Sequence, residues 1–354
     1  MSSSSKPPGL FGRIKRALTP EPRESPAMKA TRALILQLTE PLDDEEVAAA
    51  IEHPFADVAL PDTRSLDTAE LSQLLELGAS SLNELEDPFQ AGRLACFCGT
   101  LVEGGAPAAL VTEALAERLD RHSSVLCALL DQAGDVRDIE PHREEFPEAY
   151  RTWQGARLLN MAVMTAFCRD LDGRVRLRAR PGLVARIQRI GNRVTNGVYV
   201  DRLLACADRV RFVLIHPAQA RGFVLNASAV RNNFHLWILL EDTLLQDDYL
   251  FDPRPGQPAT ERARLHFFEP YAWRDWPLAL ITEAATVDGF ASPTALEVVG
   301  GELPVLLAAP STTPTSWPKA YAALLHDAHQ PRVDVERELA RAEVDQWLAR
   351  CAAP

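Results

Sequence analysis

Residues Gly173–Gly182 read GRVRLRARPG, and four arginines, Arg174, Arg176, Arg178 and Arg180, alternate with Val175, Leu177 and Ala179. A guanidinium group presents a planar fork of N–H donors that matches phosphate or carboxylate. On a strand these four arginines share one face, because side chains alternate. The helical segment that follows adds Arg186, Arg189 and Arg193, spaced to share one side of a helix. Two basic faces in succession predict an anion-binding wall of seven arginines. A second arrangement uses the same residues internally, with the arginines meeting acidic side chains of the helical half and fastening the two halves together. A third keeps them on an edge strand, where charge prevents unwanted pairing.

The row stands out because the chain as a whole is acidic, with a formal net charge of -12. Between Arg169 and Arg231 there are thirteen arginines against four aspartates, with no lysine and no glutamate. Such asymmetry points to an anionic partner, or to the acidic remainder of the chain acting as one. The overall balance argues against a protein coated on all sides by nucleic acid, and no RNA-binding consensus accompanies the run.

Other residue types with chemical potential are dispersed. His326 and His329 stand three apart in HDAH, near Asp327, Asp334 and Glu336, which is half of a metal site at most. His216 ends an apolar run before Pro217, and His235 opens HLWILLED; pairing either with Cys206 or Ser228 for nucleophilic catalysis would need geometry that spacing does not supply. Cys96 and Cys98 point apart on a helix and read as small packing residues. Phe267, Phe268, Tyr271, Trp273 and Trp276 crowd HFFEPYAWRDWP, a cluster that reads first as core or interface. The chain holds no Gly-rich phosphate loop, no GxSxG elbow and no HExxH pair, so no metal and no cofactor is expected.

These groups need elements to hold them. The first residues are rich in Ser and Pro and read as a disordered tail over 1–27. Within it GLFGRIKRAL sets Leu10, Phe11, Ile14 and Leu18 at helical spacing beside Arg13, Lys15 and Arg16. A segment this short folds only against something, so it is a docking peptide for a partner groove or a membrane surface. From about Asp43 to Asp172 the pattern is helical. DTAELSQLLELG opens with Asp67 as N-cap and Glu70 three residues on, and is expected to stop at Gly78. DPFQAGRLACFCGTLVEGG opens with Asp87 and Pro88 and stops at Gly104. APAALVTEALAERLDRH, SVLCALLDQAG and a long closing helix from FPEAYRTW follow.

At Arg174 the texture changes. RVRLRAR alternates with period two and predicts a strand. GLVARIQRIGNRV returns to helical spacing; VRFVLIHP and RGFVLNASAV predict two strands joined by a short loop. NNFHLWILLEDTLL fits a helix or a buried strand. ARLHFFE, LALIT, ALEVVGG and LPVLLAA read as strands. SWPKAYAALLHDA and VDVERELARAEVDQWLARC read as two closing helices.

The fold class expected is therefore α plus α+β: an N-terminal all-helical array of irregular helix-pair repeats over 43–172, then a mixed α/β sheet domain over 173–354. At 354 residues the chain suits two domains. Six scattered cysteines without a disulfide framework fit a reducing cytoplasm, and no apolar run reaches membrane-spanning length. Four lysines among 37 basic residues suggest a GC-rich bacterial genome. The function expected is a cytoplasmic bacterial interaction or scaffold protein rather than an enzyme. It would engage a protein partner through the N-terminal peptide or the helical domain, and a phosphate-bearing ligand through the arginine face. The alternative is a hydrolase or transferase on a phosphorylated or nucleic-acid substrate, with its site near Arg176–His235.

Overall fold

A computed structural model of the chain describes residues 24–206, 208–216, 220–230, 266–269, 305–310 and 331–352, with single positions between 236 and 243. It is mixed α plus β and largely helical: an N-terminal helical array precedes a mixed sheet.

The array starts before Asp43. Helix α1 covers Pro26–Gln37, capped by the Ser25 hydroxyl accepting from Met28 N–H at 3.1 Å, so Pro26 and Ala27, expected in the tail, belong to a helix and Ser25 caps it. Helix α2 covers Asp44–Glu52 behind a capping box of Asp43 and Glu46. Helix α3 covers Thr68–Glu84 and α4 Pro88–Glu103. The Asp67–Glu70 capping box and the Asp87 cap with Pro88 at the helix start are where the sequence places them, each cap contributing about 1 kcal/mol. The expected stop at Gly78 does not occur. Gly78 is buried inside α3, and a Cβ there would lie 2.6 Å from Cys98 Sγ of α4, so this glycine serves close helix packing rather than termination.

Helix α5 runs unbroken over Thr112–Ala133, merging the two segments read separately, and α6 spans Pro147–Arg169. The α4–α6 pair forms the centre of the core. Gly92 and Gly155 let the two backbones meet: a Cβ on Gly92 would collide with the Gly155 carbonyl, and one on Gly155 would stand 2.5 Å from Pro88 O.

Helix α7, Leu171–Arg178, replaces the strand expected at RVRLRAR. The Asp170 carboxylate accepts from Gly173 N–H at 2.9 Å and starts the helix. Its buried side is Gly173, Arg174 and Leu177, one helical face, so the charge alternation reports no strand. Helices α8, Leu183–Ile190, and α9, Gly197–Leu204, follow and bury Leu183, Ile187, Ile190, Val200 and Leu203 in the same core. The change of texture at 173 thus brings no change of layer; the first strand begins at Val210.

Strands β1 (Val210–His216) and β2 (Arg221–Ser228) form an antiparallel hairpin with Phe212 opposite Leu225 and Leu214 opposite Phe223. With β3 (His266–Glu269), β4 (Val305–Pro310) and β5 (Arg332–Glu338) they form a sheet of order β3-β4-β1-β2-β5. β1 lies parallel to β4, and the other pairs are antiparallel. Phe212, Val213, Leu214 and Ile215 are all buried, as suits a central strand covered on both faces. Residues 333–338, expected to open the last helix, belong instead to the edge strand β5, because Val333 and Val335 alternate with charged residues. The helix proper is α10, Arg341–Ala352, which sets Val344 against Val213, Ile215 and Val224.

Candidate functional site

The structure assigns each of the seven arginines an acidic neighbour within the chain. Arg174 and Arg178 both bind Asp208, just before β1. Arg176 lies 3.7 Å from Asp170. Arg180 meets Glu113 at the start of α5, and Arg186 meets Asp120 one turn or two further along. Arg189 reaches Asp131 at 2.6 Å, and Arg193 reaches Asp135 beyond the end of α5 at 2.9 Å. The last four pairs advance in the same order along both segments, so they lace α8 along α5. The row does not share a face: Arg174 is buried, Arg176 is exposed, and the others stand at the seam. Five of the seven meet acids of the segment 43–172, as in the internal arrangement, while Arg174 and Arg178 meet Asp208 outside it.

Arg174 is the anchor. Besides Asp208, its Nη1 donates to the carbonyls of Phe167 and Cys168 at 2.6 and 3.3 Å. Burial alone would lower its pKa, but the hydrogen bonds and charge of Asp208 outweigh that and raise it. Asp208 also accepts from Ala229 N–H at 2.6 Å, which joins the end of β2 to the same carboxylate.

Most of the other singled-out residues lie outside the described residues. Leu10, Phe11, Ile14 and Leu18 are among these, as are His235, Tyr271, Trp273, Trp276, His326, Asp327 and His329. Asp334 and Glu336 are on β5, where Glu336 binds Arg211 of β1. Ser228 Oγ accepts from Arg209 N–H. Burial pushes the thiols of Cys96 and Cys168 up to about 11, and those of Cys98 and Cys206 to about 12, which keeps them protonated and weakly nucleophilic at neutral pH. Among the described residues no cluster of His, Cys, Asp and Glu could hold a metal ion, and no helix is long and apolar enough to cross a membrane.

A different place has the makings of a site. The corner between α3 and α4 faces the middle of α5 and the first turns of α6 across a cleft of about 410 Å³. Arg118, His122 and Thr152 form its buried floor, with Leu85, Pro88 and Val125 as apolar walls. Asn83, Glu84, Glu86, Arg121 and Glu148 stand exposed around its rim.

Positioning follows from helical spacing. Leu115, Arg118, Leu119, His122 and Leu126 occupy one stripe of α5, so an arginine and a histidine sit where the core expects apolar groups. Each is anchored to the α3–α4 corner by a carbonyl. Arg118 Nη2 donates to Leu85 O, the residue that ends α3. His122 Nε2 faces Pro88 O at 3.1 Å, and its Nδ1 faces Arg118 O at 2.9 Å. A neutral imidazole carries one N–H and donates to one of the two. Burial lowers the His122 pKa to about 4, overcoming the pull of both carbonyls, so the ring is neutral at pH 7.

Arg118 differs from the other buried arginines. It is 3% exposed, yet among the described residues it forms no ion pair with a carboxylate, and Leu85 O is its one hydrogen-bond partner. Arg93 has Asp57 and Arg174 has Asp208. Among the described residues His142 Nδ1 is the one fully buried side-chain polar atom without a partner, so the remaining Arg118 donors keep some exposed surface, and Arg118 lines the cleft. Burial, with the charge of Arg121 adding, lowers the Arg118 pKa to about 10 despite Glu117, whereas the displaced pKa values of Arg174, Arg189 and Arg337 move upward. The nearby Asp87 is engaged by Arg151. Sequence reading passed over ERLDRH as an ordinary amphipathic helix; the signal was the placing of Arg118 and His122 on its apolar stripe.

No protein-family model, curated protein or solved structure matches the chain.

Proposed function

We propose that this chain is an interaction protein whose helical array receives an anionic group of a partner in the cleft at the α3–α4 corner. One observation carries the reading: Arg118 is a buried guanidinium that lines the cleft, with no carboxylate against it among the described residues and with donors that are not fully buried. Burying a charge without a counter-ion costs several kcal/mol, about the amount that an incoming anion offsets by ion pairing. The protein acts in a bacterial cytoplasm, in keeping with cysteines that are scattered along the sequence without a disulfide framework. The basic amphipathic segment around Leu10, Phe11, Ile14 and Leu18 adds a second docking element for the protein partner or a membrane surface. The arginines from Arg174 to Arg193 contribute by holding the array together, since each already has an acid to bind.

The test is a titration of the full chain with acetate, phosphate and sulfate, followed by thermal unfolding at constant ionic strength. An anion that raises Tm in wild type and not in Arg118→Met supports the reading. Equal responses in both proteins would reject it.

A further inference from the structure

We infer that the occupant of this cleft is the C-terminal carboxylate of a peptide chain that carries a lysine or arginine just before its end. The inference rests on the reading of the cleft as a recognition site and adds the class of ligand.

Charge selects among anions. With His122 neutral, the cleft is lined by two guanidinium groups, Arg118 and Arg121, and by three carboxylates, Glu84, Glu86 and Glu148. A phosphate monoester carries about −1.5 to −2 charges at pH 7 and would enter a lining that is already net negative. A carboxylate carries one charge and matches the planar guanidinium edge. The acidic rim above it calls for a cation on the same ligand, at the distance a side chain spans. The ligand is therefore an anion at its tip and a cation behind it.

Depth selects a chain end. Arg118 is at the floor, while Glu84, Glu86 and Glu148 are exposed at the mouth. An internal Asp or Glu would have to bring chain in both directions past that mouth. A terminus brings one strand in and places its carboxylate first, the capture mode known for chain ends. A volume of about 410 Å³ exceeds the needs of a lone inorganic anion and falls within the range of sites for small organic groups. Leu85, Pro88 and Val125 give the last side chain an apolar wall.

The experiment uses the full chain and a pool of synthetic pentapeptides with lysine or arginine at the two positions before a C-terminal apolar residue. Binding is read by titration at low salt in four arms: free acid, C-terminal amide, an internal-glutamate pool with amidated ends, and a phosphoserine pool with amidated ends. The free-acid pool should bind, and amidation should weaken it by more than about tenfold, the loss expected when a charge-assisted pair is removed. Glu148→Gln, at the exposed rim, should weaken the basic free-acid pool and leave an uncharged free-acid pool unchanged. Arg121→Gln provides a rim variant that leaves the buried floor intact. Equal binding of acid and amide overturns the inference. If the phosphoserine or internal-glutamate pool binds best and Arg118→Met abolishes it, the cleft is a recognition site and the ligand class is wrong. If no arm shows binding that depends on Arg118, both readings fail.

Discussion

Arg174 and Asp208 form a bidentate pair where the helical array meets the sheet, with Nε–Oδ2 and Nη2–Oδ1 both at 3.0 Å. Arg174 is 4% exposed and the Asp208 side chain is fully buried. Arg178 binds the same carboxylate from the more open side, and Ala229 N–H completes it. A carboxylate with four N–H donors, three from α7 and one from just after β2, is a fastening point between layers, satisfied well enough to offset its desolvation.

Removing one partner should be costly. Arg174→Met leaves the carbonyls of Phe167 and Cys168 and half of Asp208 without their donor, and is expected to destabilise the fold by about 3–5 kcal/mol in urea unfolding. Combining it with Asp208→Asn should cost less than the sum of the single changes. Strict additivity of the two would show that they do not act as a pair.

The seam between α5 and α8 behaves differently. Arg186–Asp120, Arg189–Asp131 and Arg193–Asp135 are partly or well exposed, and solvent screening leaves such pairs with little effect on stability. Arg186→Gln with Arg189→Gln should lower stability slightly and leave retention on heparin unchanged. A rise in stability together with loss of heparin binding would show that these arginines serve an external polyanion instead.

His122 predicts a pH dependence. Its pKa is about 4 when folded, against about 6.5 in an unfolded chain, so below pH 6.5 the unfolded state binds the proton first. Stability contributed by the neutral ring is complete above pH 6.5 and falls as pH drops from 6.5 towards 4, by roughly 3 kcal/mol in full. Unfolding of His122→Gln followed between pH 7 and pH 4.5 should show a shallower decline than wild type. Parallel declines would place the titrating group elsewhere.

Close helix contact sets the tolerance for alanine. Gly155→Ala pushes a methyl against Pro88 O and the Phe89 Cα, and should destabilise by about 1–3 kcal/mol even though alanine favours a helix by about 1 kcal/mol. Gly78→Ala meets Cys98 Sγ and should behave in the same direction. Ser80→Ala, two residues on and exposed, should be neutral or mildly stabilising. If Gly155→Ala is equally neutral, α4 and α6 are not packed as closely as described.

Local chemistry made much of the array legible. Asp67 with Glu70, and Asp87 with Pro88, satisfy the N–H groups of their own first turns, so those starts depend on neighbours within four residues. The β1–β2 hairpin was equally plain, because two apolar runs around a short loop have few other ways to bury themselves. The arginine row was misleading for the same local reason. Period-two alternation suggested a strand, but burial of Arg174 and Leu177 on one helical face depends on Asp208, thirty-four residues on. In the same way, Val333 and Val335 became a strand because β2 offered an edge to pair with.

The sequence by itself determined the starts of α3 and α4, the apolar stripes and the excess of arginine in one stretch, since each is set by residue type and near spacing. Only the tertiary structure decided which arginines have acids to bind. Glu113, Asp120 and Asp131 come from α5, Asp135 from just beyond it and Asp208 from before β1, and together they answer six of the seven in the row. Arg118 sits in the midst of that acidic helix without one, because its place on the apolar stripe turns it inward, towards the α3–α4 corner. Ion pairing acts over a few ångströms in space, and distance along the chain does not report it.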